Sequence, residues 1–341
     1  MKHLRLYLIF ILLLSLLLSN PLSNNASSFS NEETHLKTND GTLNVVASLS
    51  IVADFASQIG EGLFTVESIV SGNENPHVYE PSPSEIEKVA QADIFIRFGL
   101  EGLEPWVQSV LDANPGVNVL ELINSSMIEF DDLIGSNNPH VWMDPNNVKI
   151  MVEKIFQRVS LLDPLNSGAY ATNRDNYLNE LDFLLSRIDQ ARTIFEGLKV
   201  VVHHPSFKYL FDLLGIIRVG AIEEQDGVEP SPEHIQEIIS AIESENVSLI
   251  INQPQLDDER VNQIARDTEI QIVDLTPLLG VYELADYISM IDYDLLALQN
   301  PFDPPSTLLP WTTWLLIGFA GGSLVALGLA VIIIRRKNTR V

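Results

Sequence analysis

Between residues 43 and 298, short apolar runs alternate with segments whose apolar side chains recur at helical spacing, and this alternation constrains the fold most. The runs 43–47, 66–70, 94–98, 117–120, 199–202, 216–219, 249–252 and 270–273 are rich in Val, Ile and Leu. They have strand length. Between them, segments such as 51–59 set Ile51, Val52, Phe55, Ala56 and Ile59 on one helical face. Strands and helices in succession predict an α/β fold, with parallel sheets wrapped by helices.

Residues 167–195 break the rhythm. Tyr170, Tyr177, Leu181, Leu184, Leu185 and Ile188 recur at helical spacing, with no Gly or Pro after Gly168. One long rigid helix is expected there, joining two strand-rich lobes. The expected organisation is a signal peptide over 1–26, a flexible spacer over 27–42 and an N-terminal α/β lobe over 43–166. A linking helix over 167–197, a C-terminal lobe over 198–298 and a Pro-rich stalk over 299–310 follow. An internal echo agrees with two related lobes. Glu-Pro-Ser-Pro at 80–83 recurs at 229–232, each time before an apolar-periodic segment. It is a helix start: Ser82 as N-cap, Pro83 at the first helical position and Glu85 completing a capping box.

The ends carry a membrane signature. Lys2, His3 and Arg5 precede a short apolar run, the pattern of a secretory leader. Residues 20–30 offer no clean cleavage site, so an uncleaved anchor is the alternative. Residues 311–334 contain no charge and are long enough to cross a bilayer as one transmembrane helix. Trp311 and Trp314 sit at one border, and Arg335, Arg336 and Lys337 follow the other. By the positive-inside rule the 335–341 tail is cytoplasmic and the body lies outside, held by a single pass.

The chain has no cysteine, which excludes disulfides, thiolate ligands, a cysteine nucleophile and a lipidated N-terminal cysteine. Its formal net charge is −26. Because Lys2, Arg5, Arg335, Arg336, Lys337 and Arg340 all lie at the ends, where no acid does, the body itself is more acidic still. Such a surface repels nucleic acid and draws cations in.

Three of the seven histidines share one setting. His77 follows Pro76, His140 follows Pro139, and His204 precedes Pro205. An adjacent proline restricts the loop backbone that carries each imidazole. His204 also stands just past an expected strand, where open α/β sheets place ligands. Three imidazoles and an oxygen donor make a four-coordinate site suited to zinc; manganese prefers more oxygen. His203 points to the other face on strand alternation and is the alternative to His204. Tyr79 and Trp142 are expected to pack around the site.

In this order, Asn-Pro-His-Val-Tyr-Glu-Pro-Ser-Pro at 75–83, Pro-His-Val-Trp-Met-Asp-Pro at 139–145 and His-Pro-Ser-Phe-Lys-Tyr at 204–209 form a recognisable set. The chain resembles the zinc/manganese solute-binding proteins of ABC metal importers, the cluster 9 metal-binding lipoprotein-like family, over about residues 43–298. The resemblance implies two α/β lobes with one Zn2+ or Mn2+ in the cleft between them. His77 and His140 would come from the first lobe and His204 from the second. It also implies a monomer that hands its ion to an ABC permease and its ATPase, with no catalysis. The family's acidic fourth ligand falls where this chain has Thr276. Asp274, two residues earlier, faces the same side of an extended strand and is expected to replace it, with Glu223 or Glu224 as alternatives. The His-rich loop of many zinc-specific members is absent from 124–138, which has Glu129, Asp131 and Asp132 but no histidine. A membrane-anchored zinc hydrolase is a rival reading, but neither His-Glu-x-x-His nor Gly-x-Ser-x-Gly occurs. An adhesin on the same scaffold is another.

Overall fold

The fold rests on two four-stranded sheets, each entirely parallel. A computed structural model describes residues 42–301 except Glu101 and Ala285. The expected leader, stalk, membrane span 311–334 and basic tail lie outside these residues, apart from the first positions of the stalk. No helix among the described residues is long and apolar enough to cross a membrane.

The first half runs β1 (Asn44–Leu49), α1 (Ser50–Gly60), β2 (Thr65–Val70), α2 (Pro83–Ala90), β3 (Ile94–Arg97), α3 (Val107–Leu111) and β4 (Asn118–Glu121). A two-residue hairpin, β5 (Phe130–Asp131) and β6 (Ser136–Asn137), then leads to α4 (Pro145–Leu162) and α5 (Ser167–Phe195). The second half runs β7 (Lys199–Val202), α6 (Lys208–Leu214), β8 (Ile217–Ala221), α7 (Pro232–Glu245), β9 (Leu249–Asn252), α8 (Glu259–Thr268), β10 (Gln271–Asp274) and α9 (Tyr287–Gln299). The sheet orders are β2-β1-β3-β4 and β10-β9-β7-β8. Counted within its own half, each sheet has the order second, first, third, fourth, so the halves repeat one topology. The Glu-Pro-Ser-Pro echo starts α2 and α7. Ser82 forms a capping box with Glu85, and Ser231 accepts from the His234 backbone N–H.

Every expected strand forms, within one or two residues of its expected ends. The 130–137 hairpin lacks an apolar run and was not expected. At 29 residues, α5 buries Tyr170, Asn173, Tyr177, Leu181, Leu184, Ile188, Ala191 and Phe195 at steps of three or four. It packs on α1 and α4 from the first half and on α6 and α9 from the second. One apolar cluster runs unbroken from Leu43 to Leu298, so the halves share a core. A smaller cluster of Val201, Ile222, Ile235, Ile238, Ile242, Ile250, Val261 and Ile264 includes buried side chains of α7 and α8.

Asp54 ties the halves together. From α1 its carboxylate accepts the Tyr287 backbone N–H (2.9 Å), at the start of α9, and the Gln58 amide (2.9 Å). Burial pushes its pKa up to about 6, against the lowering effect of those two hydrogen bonds. Between its ordinary value of about 3.9 and 6 the folded chain binds a proton that the unfolded chain has lost, so this group makes stability fall as pH rises through that window. Asp54→Asn keeps an acceptor for Tyr287 and removes the titration. It is expected to raise stability by about 1–2 kcal/mol at about pH 8 and by little at about pH 4. Thermal unfolding at the two pH values measures the difference.

Candidate metal centre

Each site histidine sits on a short loop stiffened by proline. His77 lies in the 3-10 turn Pro76–Val78, and His140 and His204 each immediately precede another, Val141–Met143 and Pro205–Phe207. The two Asn-Pro-His triplets use one local device. The side chain of Asn75 accepts the His77 backbone N–H at 3.0 Å, and that of Asn138 accepts the His140 N–H at 3.0 Å. Such Asx-type turns fix the histidine relative to the preceding proline. His204 follows β7, the strand at which the second sheet's order reverses, so it projects from the crevice where this sheet type takes ligands.

The three imidazoles converge. His140 Nε2 lies 3.4 Å from His77 Nε2 and 3.3 Å from His204 Nε2, and all three rings are buried. Hydrogen bonds on the far side of each ring decide which nitrogen carries the proton. His77 Nδ1 donates to the Gly102 carbonyl (2.7 Å), and His204 Nδ1 donates to the Glu223 carboxylate (2.6 Å). His140 Nδ1 donates to Asn138 Oδ1 (3.0 Å). That oxygen is an acceptor because the Asn138 amide nitrogen already donates to Asp131 Oδ2 and to the Pro205 carbonyl, both at 2.9 Å. All three Nε2 lone pairs therefore face one point. A tetrahedral zinc with Zn–N of about 2.0–2.1 Å holds its nitrogens about 3.3–3.4 Å apart. The spacing of His140 Nε2 from each of the other two already has that value.

The electrostatics differ from ring to ring. Burial holds the His140 pKa well below the usual imidazole range, helped by the neighbouring His204 and His77 and by Arg218. For His77 burial also pulls down, but the Asp226 carboxylate, the Gly102 carbonyl and Glu223 outweigh it and raise the pKa. Asp226 is lowered in return: burial works against ionisation, and the His77 hydrogen bond with the charges of His77 and His204 overcomes it. Trp142 packs on His140 with ring centroids 5.2 Å apart and stacks on Phe98 at 4.6 Å. Tyr79 is one layer out, against Trp106 and Glu85.

Asp274 is not brought into this cluster. Its Oδ1 accepts from Asn252 (2.8 Å) and its Oδ2 from the Tyr282 hydroxyl (2.9 Å). Strand order supplies the reason. β10 is an edge strand and β9 lies between it and β7, so two strand spacings, about 10 Å, separate Asp274 from the strand that carries His204. Alternation along one strand gives the facing side but says nothing of this lateral distance. Thr276 is buried, with its hydroxyl donating to the Leu278 carbonyl. Glu224 turns away and accepts from the Ser231 backbone at the start of α7. Glu223 is adjacent because β8 is the direct neighbour of β7: the backbone N–H of Glu223 donates to the His203 carbonyl at 2.9 Å. His203 is engaged elsewhere: its Nδ1 donates to Asn252 Oδ1 at 3.0 Å, while the Asn252 amide nitrogen donates to Asp274.

Two groups around the site escape a reading of residue types alone. Asn138 sets the His140 tautomer, and its own orientation is set by Asp131, which Arg218 of β8 grips with two bonds of 2.8 and 2.9 Å. The repeated Asn-Pro-His triplet carried the signal for Asn138. Asp226 lies 3.2 Å from His77 Nδ1 and 3.8 Å from His204 Nδ1. Its signal is the Asp-Gly dipeptide at 226–227, a turn former.

The family model described as zinc-uptake complex component A periplasmic, ZnuA, matches residues 45–300. The chain is similar to the manganese-binding lipoprotein MntA of Halalkalibacterium halodurans, 29% identical over 246 residues that cover 71% of this chain and 81% of that protein. It is also similar to the manganese ABC transporter substrate-binding lipoprotein PsaA of Streptococcus pneumoniae, 27% identical over 252 residues covering 69% and 80%. A crystal structure of ZnuA matches the fold with a TM-score of 0.64 at 25% identity, over 70% of this chain and 92% of that one. With the family model covering residues 45–300 and these relatives alongside it, the chain belongs to the ZnuA family of metal-binding substrate-binding proteins of ABC importers, which are not enzymes.

Proposed function

We propose that His77, His140 and His204 capture one divalent cation, zinc in preference to manganese, and deliver it to an ABC permease and its ATPase. The single observation behind this is the convergence of the three rings: His77 Nε2 and His204 Nε2 lie 3.4 and 3.3 Å from His140 Nε2, and the ligand atoms of all three fall within 4.8 Å of one another. Three nitrogen donors favour zinc, since manganese is better served by oxygen. The lobes are residues 43–166 and 198–298, with 167–197 as the connecting helix and the ion in the cleft between them. The chain acts as a monomer. Residues 311–334 tether it by a single pass, with the 335–341 tail in the cytoplasm. The relatives named above are lipoproteins, and a chain with no cysteine needs another anchor. The acidic body, net −26 over the whole chain, concentrates cations near the site.

Calorimetric titration of the full-length chain is expected to give one zinc per chain and weaker manganese binding. A stoichiometry other than one, or tighter manganese, overturns this assignment. Protease accessibility of the two termini in sealed vesicles tests the tether: a tail cut from outside contradicts it.

Metal binds only the unprotonated ring, so a raised pKa means the proton competes from a higher pH. For His77 that competition begins above the ordinary histidine value of about 6.5. Zinc affinity is expected to be full at alkaline pH and, as pH is lowered, to begin falling already above the ordinary histidine value of about 6.5. Competition with a chelator of known zinc affinity at each pH measures it.

A further inference from the structure

We propose that Asp226 supplies the fourth, oxygen donor to the ion held by His77, His140 and His204, closing the shell from the turn 223–228. The proposal rests on those three histidines being the metal site.

Three imidazoles leave one corner of a tetrahedral site for a carboxylate or water. Of the nearby carboxylates, Asp274 has both oxygens engaged elsewhere and Glu224 faces α7. Glu223 uses Oε2 on His204 Nδ1 and Oε1 on the Gly227 backbone N–H (2.6 Å). Withdrawing it would strip His204 of the partner that fixes its tautomer. Asp226 differs in every respect. Its carboxylate partners are two site histidines, one from each half of the chain. Both contacts are redundant, because each ring keeps a closer acceptor: Gly102 O at 2.7 Å for His77 and Glu223 Oε2 at 2.6 Å for His204. Asp226 can therefore leave the Nδ1 edges of the rings without loosening either ring.

Its backbone setting serves the same end. Gln225 and Val228 pair across the turn, with the Val228 N–H donating to the Gln225 carbonyl at 3.0 Å, and Asp226-Gly227 forms the tip. Gly227 has φ +69°, and a Cβ there would come 2.7 Å from Val78 Cγ1. The tip thus leans directly on the turn that carries His77. The Asp226 side chain is 47% exposed, so it is free to rotate from the Nδ1 edges toward the Nε2 edges. A divalent ion attracts a carboxylate more strongly than a neutral imidazole N–H does. A ligand on a half-exposed turn is also the first that can be withdrawn when the ion is released.

A thiol probe tests this directly. The chain has no cysteine, so Asp226→Cys and Asp274→Cys each introduce a single thiol. In the full-length chain loaded with Co2+, a near-ultraviolet thiolate-to-cobalt charge-transfer band is expected from Asp226→Cys and not from Asp274→Cys. In parallel, Asp226→Asn is expected to weaken zinc binding at least about tenfold, while Asp274→Asn leaves it within about twofold. A band from Asp274→Cys overturns the proposal, as does Asp226→Cys binding cobalt without a band while Asp226→Asn keeps full affinity. Failure of the underlying reading looks different: His140→Ala would then retain its zinc.

Discussion

Replacing His140 by alanine is expected to lower zinc affinity by more than about 100-fold while leaving the chain folded. Removing an outer hydrogen-bond partner of a ligand typically costs about 10–100-fold, and a ligand itself should cost more. His140 is the most consequential of the three because its Nε2 is the nitrogen lying 3.3–3.4 Å from both others. Without it, two imidazoles remain, one from each half. The fold should survive. The His140 side chain's hydrogen bond goes to Asn138, and Asn138 keeps its bonds to Asp131 and Pro205. Titration with zinc and thermal unfolding of the same preparation separate the two effects. Full affinity in His140→Ala, with an unchanged melting temperature, would falsify the site.

The second large effect is expected from Arg218→Ala, and here stability and binding should move together. Asp131 is 1% exposed, and the Arg218 guanidinium meets both its oxygens. Asn138 and the Leu133 backbone N–H donate to the same carboxylate. Together these outweigh burial and hold the Asp131 pKa below the usual carboxylate range. Removing one partner of a buried ion pair costs about 3–5 kcal/mol, because the remaining charge is stranded. The two remaining donors put the expected loss near the lower end, about 3 kcal/mol. The lost pair also frees Asn138, which orients His140, so zinc affinity should drop about 10–100-fold. Asp131→Asn in the Arg218→Ala background removes the stranded charge and should restore part of the stability. Denaturant unfolding of the two singles and the double closes the cycle. Additive losses would show that the pair is not coupled.

Much of the framework was legible because it depends on local physics. Short runs rich in Val, Ile and Leu, alternating with helix-period segments, read as strands, and the helical spacing over the 29 residues of α5 has no competing period. Ser82 and Ser231 announced their helices through capping chemistry that needs no partner beyond the next turn. The three histidines stood out because each is held by an adjacent proline, and the structure brings all three together. The hairpin at 130–137 was missed because its pairing covers two residues on each side and carries no hydrophobic pattern.

Asp274 marks where such reading ends. Alternation along a strand says which face a side chain takes, and that was available from the residues. How far apart two strands lie depends on the order in which they pair, and here β9 separates β10 from β7. The same lateral order makes Glu223, just past the end of β8, the partner of His204. Asp226 reaches the site only because a glycine at φ +69° lets its turn close on Val78, from the other half of the chain. Sequence by itself thus determined the elements, the repeated α/β plan and the three imidazoles, since each follows from spacing and neighbouring residues. Tertiary structure alone decided the tautomers and which carboxylates stand beside them. Those depend on strand order and on contacts between residues up to 149 positions apart, as in Asp226 against His77.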